Sequence, residues 1–236
     1  MLTLRPVALG LLASLAATLA TAASDQFISV RAPADVSLDT NPTSEFWRAA
    51  KPVIIDTDNK GVRQSGFTME VRTRWTPENL YFLFQCPYQD LYLKPNPSTA
   101  SETNQLWNWD VAEVFIGSDF ENIRRYKEFE VSPQAEWVDL DIDLSKTHPE
   151  TGWLWNSGFK AAARVDRTSK TWYAAMRIPL KAIDKRGPKE GNEFRVNLYL
   201  SEGKAPNHRS LVWRPTLKSS FHIPEKFGIL KLGNAQ

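Results

Sequence analysis

The chain has 236 residues, with 29 Lys and Arg against 27 Asp and Glu, a net charge of +2, and 11% aromatic side chains. That near balance, without a basic block or a long amphipathic basic helix, excludes nucleic acid and an anionic membrane surface as partners. The lone Cys86 excludes an internal disulfide framework, and no apolar run after the N-terminal segment is long enough to span a bilayer.

Met1 to about Ala23 reads as a secretory signal peptide: Arg5 is its only charge, Val7 to Ala20 is apolar, and small residues follow for cleavage. The expectation is a secreted or periplasmic protein whose residues 24–236 form a single domain. Phe27 to Val30 predicts a short edge strand, and Asn41-Pro42 predicts the capped start of a short helix ending near Ala50. From there alternation with period two dominates. Phe67 to Trp75 and Leu80 to Cys86 predict a hairpin whose second strand, apolar on nearly both sides, is central; Cys86 falls in phase with Leu80, Phe82 and Phe84 as a buried thiol. Pro87 to Gln105, with three prolines and little periodicity, predicts a long functional loop.

Further strands are expected at Val111 to Ile116, around Phe129, and at Trp137 to Leu144, where Asp139, Asp141 and Asp143 form a stripe read as a solvated face. Phe159 to Asp166, Thr171 to Ile178, Phe194 to Ser201, Leu211 to Trp213 and Gly228 to Leu232 complete the set, and Pro179 to Asp184 is at most a helical turn. In Phe194 to Ser201 the apolar residues point inward, leaving Arg195, Asn197 and Tyr199 as an outward row. About ten strands and no crossover helix predict an all-β fold, a two-sheet antiparallel β-sandwich.

The chemistry concentrates in Leu106 to Pro133, where Trp107 and Trp109 adjoin Asp110 and Glu113 and two more acids, Glu128 and Glu130, follow. Aromatic faces beside fixed carboxylates suit a sugar, whose C–H faces stack on rings while its hydroxyls donate to oxygen. Glu113 sits in an apolar strand and needs a partner, either an arginine such as Arg195 or a ligand. Trp109 fits a further wall or the core, the core being favoured. His148, His208 and His222 show no metal-ligand spacing, and Met69 and Met176 read as core without a histidine partner, which argues against haem.

Trp107-Asn108-Trp109-Asp110-Val111-Ala112-Glu113-Val114-Phe115-Ile116 resembles the W-x-x-D-x-x-E-[IV]-F-I segment of family 9 carbohydrate-binding modules. Trp213-Arg214-Pro215 and Phe221-His222-Ile223-Pro224-Glu225-Lys226-Phe227-Gly228 resemble the closing pattern of that family, and Phe129 to Pro133 its intervening strand. The resemblance implies a jelly-roll-like sandwich of the DOMON-like superfamily, non-catalytic, with structural calcium in many members and no other cofactor. It implies a glycan or sugar end held between Trp107 and Phe221, with Glu113 accepting from hydroxyls, in support of carbohydrate catabolism. Glu130 stands where sugar-binding members carry arginine, reversing a charge at a contact. Arg195 and Asn197 complete the expected ligand set. Two other readings compete: a protein-interaction sandwich of the cell envelope without sugar affinity, and a glycoside hydrolase using Glu113 and Glu130, since such enzymes pair two carboxyl groups.

Overall fold

The computed structural model describes residues 25–149 and 152–234; the expected leader, Met1 to Ala23, lies outside them. The described residues are all-β with two helical turns. The strands are β1 (Gln26–Arg31), β2 (Val53–Ile55), β3 (Met69–Trp75), β4 (Asn79–Pro87), β5 (Val111–Gly117), β6 (Arg125–Val131) and β7 (Trp137–Asp143). They continue as β8 (Lys160–Asp166), β9 (Thr171–Pro179), β10 (Glu193–Glu202), β11 (Arg209–Val212) and β12 (Gly228–Gly233). Helix α1 covers Glu45–Arg48 and α2 Leu180–Ile183. Among the described residues no helix is long and apolar enough to cross a membrane.

The strands form one hydrogen-bonded path, β7-β6-β5-β10-β12-β1-β3-β4-β9-β8, with β11 on β10 and β2 on β3. This differs from the expected pair of separate antiparallel sheets: twelve strands join in one sheet that curls until its ends nearly meet. Phe129 of β6 and Phe159 beside β8 lie 5.2 Å apart between ring centres where the two ends approach. Strand β1, expected at an edge, is internal and parallel to both neighbours, joining β3 through only two residue pairs, Val30 with Arg74 and Arg31 with Trp75. Parallel pairing between distant segments leaves no hairpin turn in the sequence to announce it.

Alternation explains which side chains meet. In β4 the residues Leu80, Phe82, Phe84 and Cys86 enter the main core, while Tyr81 and Leu83 join Trp47 of α1 in a cluster on the outer face. Central placement between β3 and β9 is why both faces of β4 are apolar. Strand β5 repeats the logic between β6 and β10: Ala112, Val114 and Ile116 pack inward, and Val111 and Phe115 belong to a second outer cluster with Tyr126, Leu140, Ile142 and Tyr199. Fully burying each large apolar side chain stabilises the fold by about 1.5–3 kcal/mol relative to exposure. Cys86 is completely buried, and burial raises its thiol pKa well above the ordinary value.

The aspartate stripe of β7 is a correction to the expected solvated face. Its residues share the inner side with Phe129, the register partner of Asp139, and Asp139 is fully buried, with Oδ2 accepting from Ser157 N at 2.8 Å. Asp141 pairs with Lys127 and Asp143 with Arg125 and Lys146, so these carboxylates are bound to protein partners and do not fit a shared calcium ion.

Glycine is required at position 228, where β12 begins beneath Trp213, whose ring packs edge-on to Phe27 at 4.8 Å. An added Cβ would lie 2.4 Å from Trp213 Cη2 and 2.7 Å from the Asp25 carbonyl. Gly228→Ala is therefore expected to lower stability by about 1–3 kcal/mol through overpacking, measurable as a shift in the midpoint of chemical denaturation. An unchanged midpoint would show that Trp213 moves aside freely.

Candidate functional site

The outer face of β5, β6, β7 and β10 carries a cleft of about 510 Å³. Aromatic side chains from three separate loops stand at its mouth. Trp107 projects from a short 3-10 turn, Leu106–Asn108, that follows Gln105 in the left-handed region at φ 62°. Leu106 is fully buried in the outer cluster and anchors that turn, which leaves Trp107 39% exposed at the cleft. Phe221 arrives from the segment after β11 and stacks on Tyr199 of β10, 4.4 Å between ring centres at 15°. Tyr199 also donates through its hydroxyl to the Phe221 carbonyl at 3.0 Å. The third ring, Trp153, lies in the loop before β8 with a φ of 61°, a conformation that costs a bulky residue on the order of 1–3 kcal/mol. Its carbonyl accepts from Asp141 N at 3.0 Å, and its indole meets the edge of His148 at 4.3 Å.

The floor is buried and acidic. Glu113 and Glu128 line it together with Phe115 and Ser201. Glu130 faces Glu113 directly in the β5–β6 register and is fully buried beside them. One oxygen from each of the three glutamates lies within 4.8 Å of one from each of the others. Ser201 Oγ donates to Glu113 Oε1 at 3.3 Å, whereas no donor from outside the cluster reaches Glu128 Oε2 or either oxygen of Glu130. Burial is the largest influence on all three; neighbouring carboxylates add to it at Glu113 and Glu130, whereas the hydrogen bond from Glu130 partly offsets it at Glu128. Glu128 is pushed up to about 7, and Glu113 and Glu130 well above the ordinary carboxylate range. Three dry carboxylates cannot all stay ionised, so without a counter-cation the cluster keeps protons. A protonated Glu130 donates to Glu128, and the floor then offers donors as well as acceptors.

Trp107, Glu113 and Phe221, distant in the sequence, thus come together in one cleft, and Glu130 sits just behind Glu113. Arg195 and Asn197 do not line it. Arg195 is buried away from Glu113, its guanidinium donating to the carbonyls of Ile123 and Pro224 beside the ring of Phe227. The arginine partner expected for Glu113 is therefore replaced by Ser201. Asn197 is fully buried; its Nδ2 donates to Tyr199 Oη and to the Arg214 carbonyl, and its Oδ1 accepts from Arg214 N. It supports the tyrosine on which Phe221 rests. Trp109 is half-buried and joins neither the cleft nor a core cluster. Asp110 ties the site together from behind, accepting from Tyr92 N at 2.9 Å and Gly203 N at 2.7 Å, with burial pushing it up to about 6. The sequence reading missed Trp153 and the three cleft histidines, His148, His208 and His222. The aromatic density of Thr147 to Gly158 is the only signal that marked that loop.

Aromatic rings at the mouth and carboxyl groups at the floor of an all-β scaffold define a binding domain for a polar ring-shaped ligand. The chain belongs to the carbohydrate family 9 binding domain-like family, whose model matches residues 38–235. It is similar in fold to a family 9 carbohydrate-binding module from Caldicellulosiruptor kristjanssonii in complex with cellotriose, at a TM-score of 0.64 and 12% identity over 89% of this chain and 95% of that one. The same holds for that organism's module in complex with glucose, at a TM-score of 0.62, 12% identity, and 89% and 97% coverage. A putative carbohydrate-binding protein from Bacteroides uniformis gives 0.69 at 16% identity over 88% of this chain and 98% of that one. An extracellular protein of Arthroderma benhamiae is 26% identical over 136 residues, 52% of this chain; the match spans 61% of that relative's length.

Proposed function

We propose that the cleft holds a glycan or sugar end between Trp107 and Phe221, with Trp153 as a third ring and Glu113 and Glu128 meeting hydroxyls from below. The observation that carries this reading is the convergence of those three rings, from three separate loops, over one carboxyl floor. On this reading the protein is a non-catalytic carbohydrate-binding domain, exported by its leader and serving polysaccharide capture or breakdown; kinship with DOMON domains belongs to the same proposal. Ring stacking contributes about 0.5–1.5 kcal/mol per contact beyond burial, and hydrogen bonds to charged groups about 1.5–3 kcal/mol. Together they support micromolar to millimolar affinity.

Calorimetric titration with mono- and oligosaccharides, glucose and cellotriose first because similar folds hold them, is the test. Trp107→Ala should weaken the best ligand about tenfold or more, the equivalent of about 1.4 kcal/mol, without changing thermal stability. Absence of heat with every sugar would favour the protein-interaction reading. Hydrolysis by Glu113 and Glu130 is disfavoured by geometry, because a glycosidase sets its two carboxyl groups on either side of the scissile bond, whereas Glu130 does not line the cleft. Release of reducing ends that vanished in Glu113→Gln would instead identify a hydrolase.

A further inference from the structure

We propose that Glu113, Glu128 and Glu130 form a binding site for one hard divalent cation, of the calcium and magnesium class, set in the floor of the cleft. Three independent observations converge on it. The first is geometry. A hard cation takes oxygen ligands at about 2.0–2.6 Å, so ligands on opposite sides of one ion stand about 4–5 Å apart. The three glutamates each offer an oxygen within 4.8 Å of the others, which is the span of a single coordination sphere.

The second observation is how few partners these oxygens have outside the cluster. Glu130 is 0% exposed and neither of its oxygens accepts from a donor outside the glutamate cluster; the same is true of Glu128 Oε2. A buried acceptor without a partner costs about 1–3 kcal/mol, and more when charged, so three together call either for protons shared within the cluster or for a bound cation. The third is the disposition of the basic groups on the packed strands. Lys127 of β6 pairs with Asp141 and sits over Trp155; Arg125 pairs with Asp143; Arg195 of β10 donates to carbonyls; Arg209 of β11 pairs with Glu202. Among the described residues no lysine or arginine lines the cleft, and none is set against the glutamates.

An all-oxygen donor set selects calcium, magnesium or manganese over softer ions. Ser201 Oγ, beside Glu113, supplies a further oxygen at the edge of the sphere. Glu113 and Glu128 line the cleft, so the remaining positions open toward it and would be filled by water or by ligand hydroxyls. The ion would reduce a formal charge of three to one. It would also explain why glutamate is tolerated at position 130. The contact to ligand hydroxyls rests on the sugar-binding reading; the cation site does not.

The test uses chelator-treated full-length protein titrated separately with CaCl2, MgCl2 and MnCl2. We expect one cation per chain for at least one of them, and a rise in Tm of about 5–10 °C at a hundredfold excess over Kd. Glu130→Gln keeps the shape of the side chain; in chelator it should melt at or above the wild-type temperature, yet lose the cation-induced rise. Cation binding that survives in both Glu130→Gln and Glu113→Gln would place the ion elsewhere and overturn the proposal. So would silence of the wild type toward all three cations, and so would tight binding of glucosamine by chelated protein that ignores them, since the cluster would then be an ammonium site. Sugar titrations run with and without chelator separate the two readings. Cation heat with no sugar heat leaves the ion site standing and defeats the carbohydrate reading, whereas sugar heat from a protein that takes no cation does the reverse.

Discussion

Phe115→Ala is expected to lower the stability of the protein by about 3–5 kcal/mol, the largest effect of any single substitution at the cleft. Phe115 is 1% exposed and stands at the centre of the outer aromatic cluster. Its ring lies 4.7 Å from Tyr199, 5.1 Å from His222, 5.7 Å from Tyr126 and 6.2 Å from Phe227. Those neighbours come from β6, β10 and the segment before β12, so truncation removes contacts that no single loop movement restores. Polar groups fixed on two of them, the Tyr199 hydroxyl bound to the Phe221 carbonyl and the Tyr126 hydroxyl bound to His222, resist collapse into the void. The cost therefore lies in the upper part of the range for cavity-forming changes. Phe115→Leu keeps most of the volume and should cost about 1–1.5 kcal/mol. Denaturant titration of both variants, read as midpoint with unchanged slope, checks the pair. A loss below about 1 kcal/mol for Phe115→Ala, under the range for cavity-forming changes, would mean that the cluster repacks and does not fix the cleft floor. Because Phe115 also lines the cleft, ligand affinity should fall in Phe115→Ala even at temperatures where the variant is folded.

The contrast between what alternation reveals and what it conceals follows from the same residues. Period-two spacing correctly separates Ala112, Val114 and Ile116 from Val111, Glu113 and Phe115, and it marks β4 as central. It says which side a residue faces and nothing about what covers that side. Arg195, Asn197 and Tyr199 do point away from the main core, yet the outer cluster and the segment through Phe221 and Phe227 bury them. Asp139 misleads for the complementary reason: polar residues in β7 face inward, where Ser157 N meets Asp139 Oδ2 and lysine or arginine side chains from neighbouring segments meet Asp141 and Asp143. Trp107 and Phe221 are legible through motif spacing. Trp153 is not, because its position depends on a left-handed backbone in a loop without periodicity. The mutual approach of Glu113, Glu128 and Glu130 needs the β5–β6 register, which places 113 opposite 130 and which strand spacing alone leaves undetermined.

Acid should weaken the wild-type fold relative to His222→Asn, with the difference developing between about pH 6.5 and about 4 and reaching on the order of 3 kcal/mol. Burial, reinforced by nearby His148, pushes the His222 imidazole down to about 4 from its ordinary value of 6.5. A histidine whose folded pKa is depressed takes up its proton more readily when unfolded, so it contributes stability that is complete above about 6.5 and declines as the pH falls toward the folded value. The local geometry gives the reason. Nδ1 shares a hydrogen bond with the Tyr126 hydroxyl at 2.7 Å while the ring stacks on Phe115 at 5.1 Å. Protonation makes both ring nitrogens donors and leaves a charge against an aromatic cluster. Asn at position 222 retains an acceptor near Nδ1 and cannot titrate. Glu113 and Glu128 face the same cleft and act with the opposite sign, since carboxyl groups with raised folded pKa values add stability as the pH falls. The raw stability curve therefore mixes both effects, and the wild-type minus His222→Asn difference isolates the histidine. Parallel curves from neutral pH down to about 4 would mean that His222 titrates normally and that its bond to Tyr126 does not hold the ring neutral.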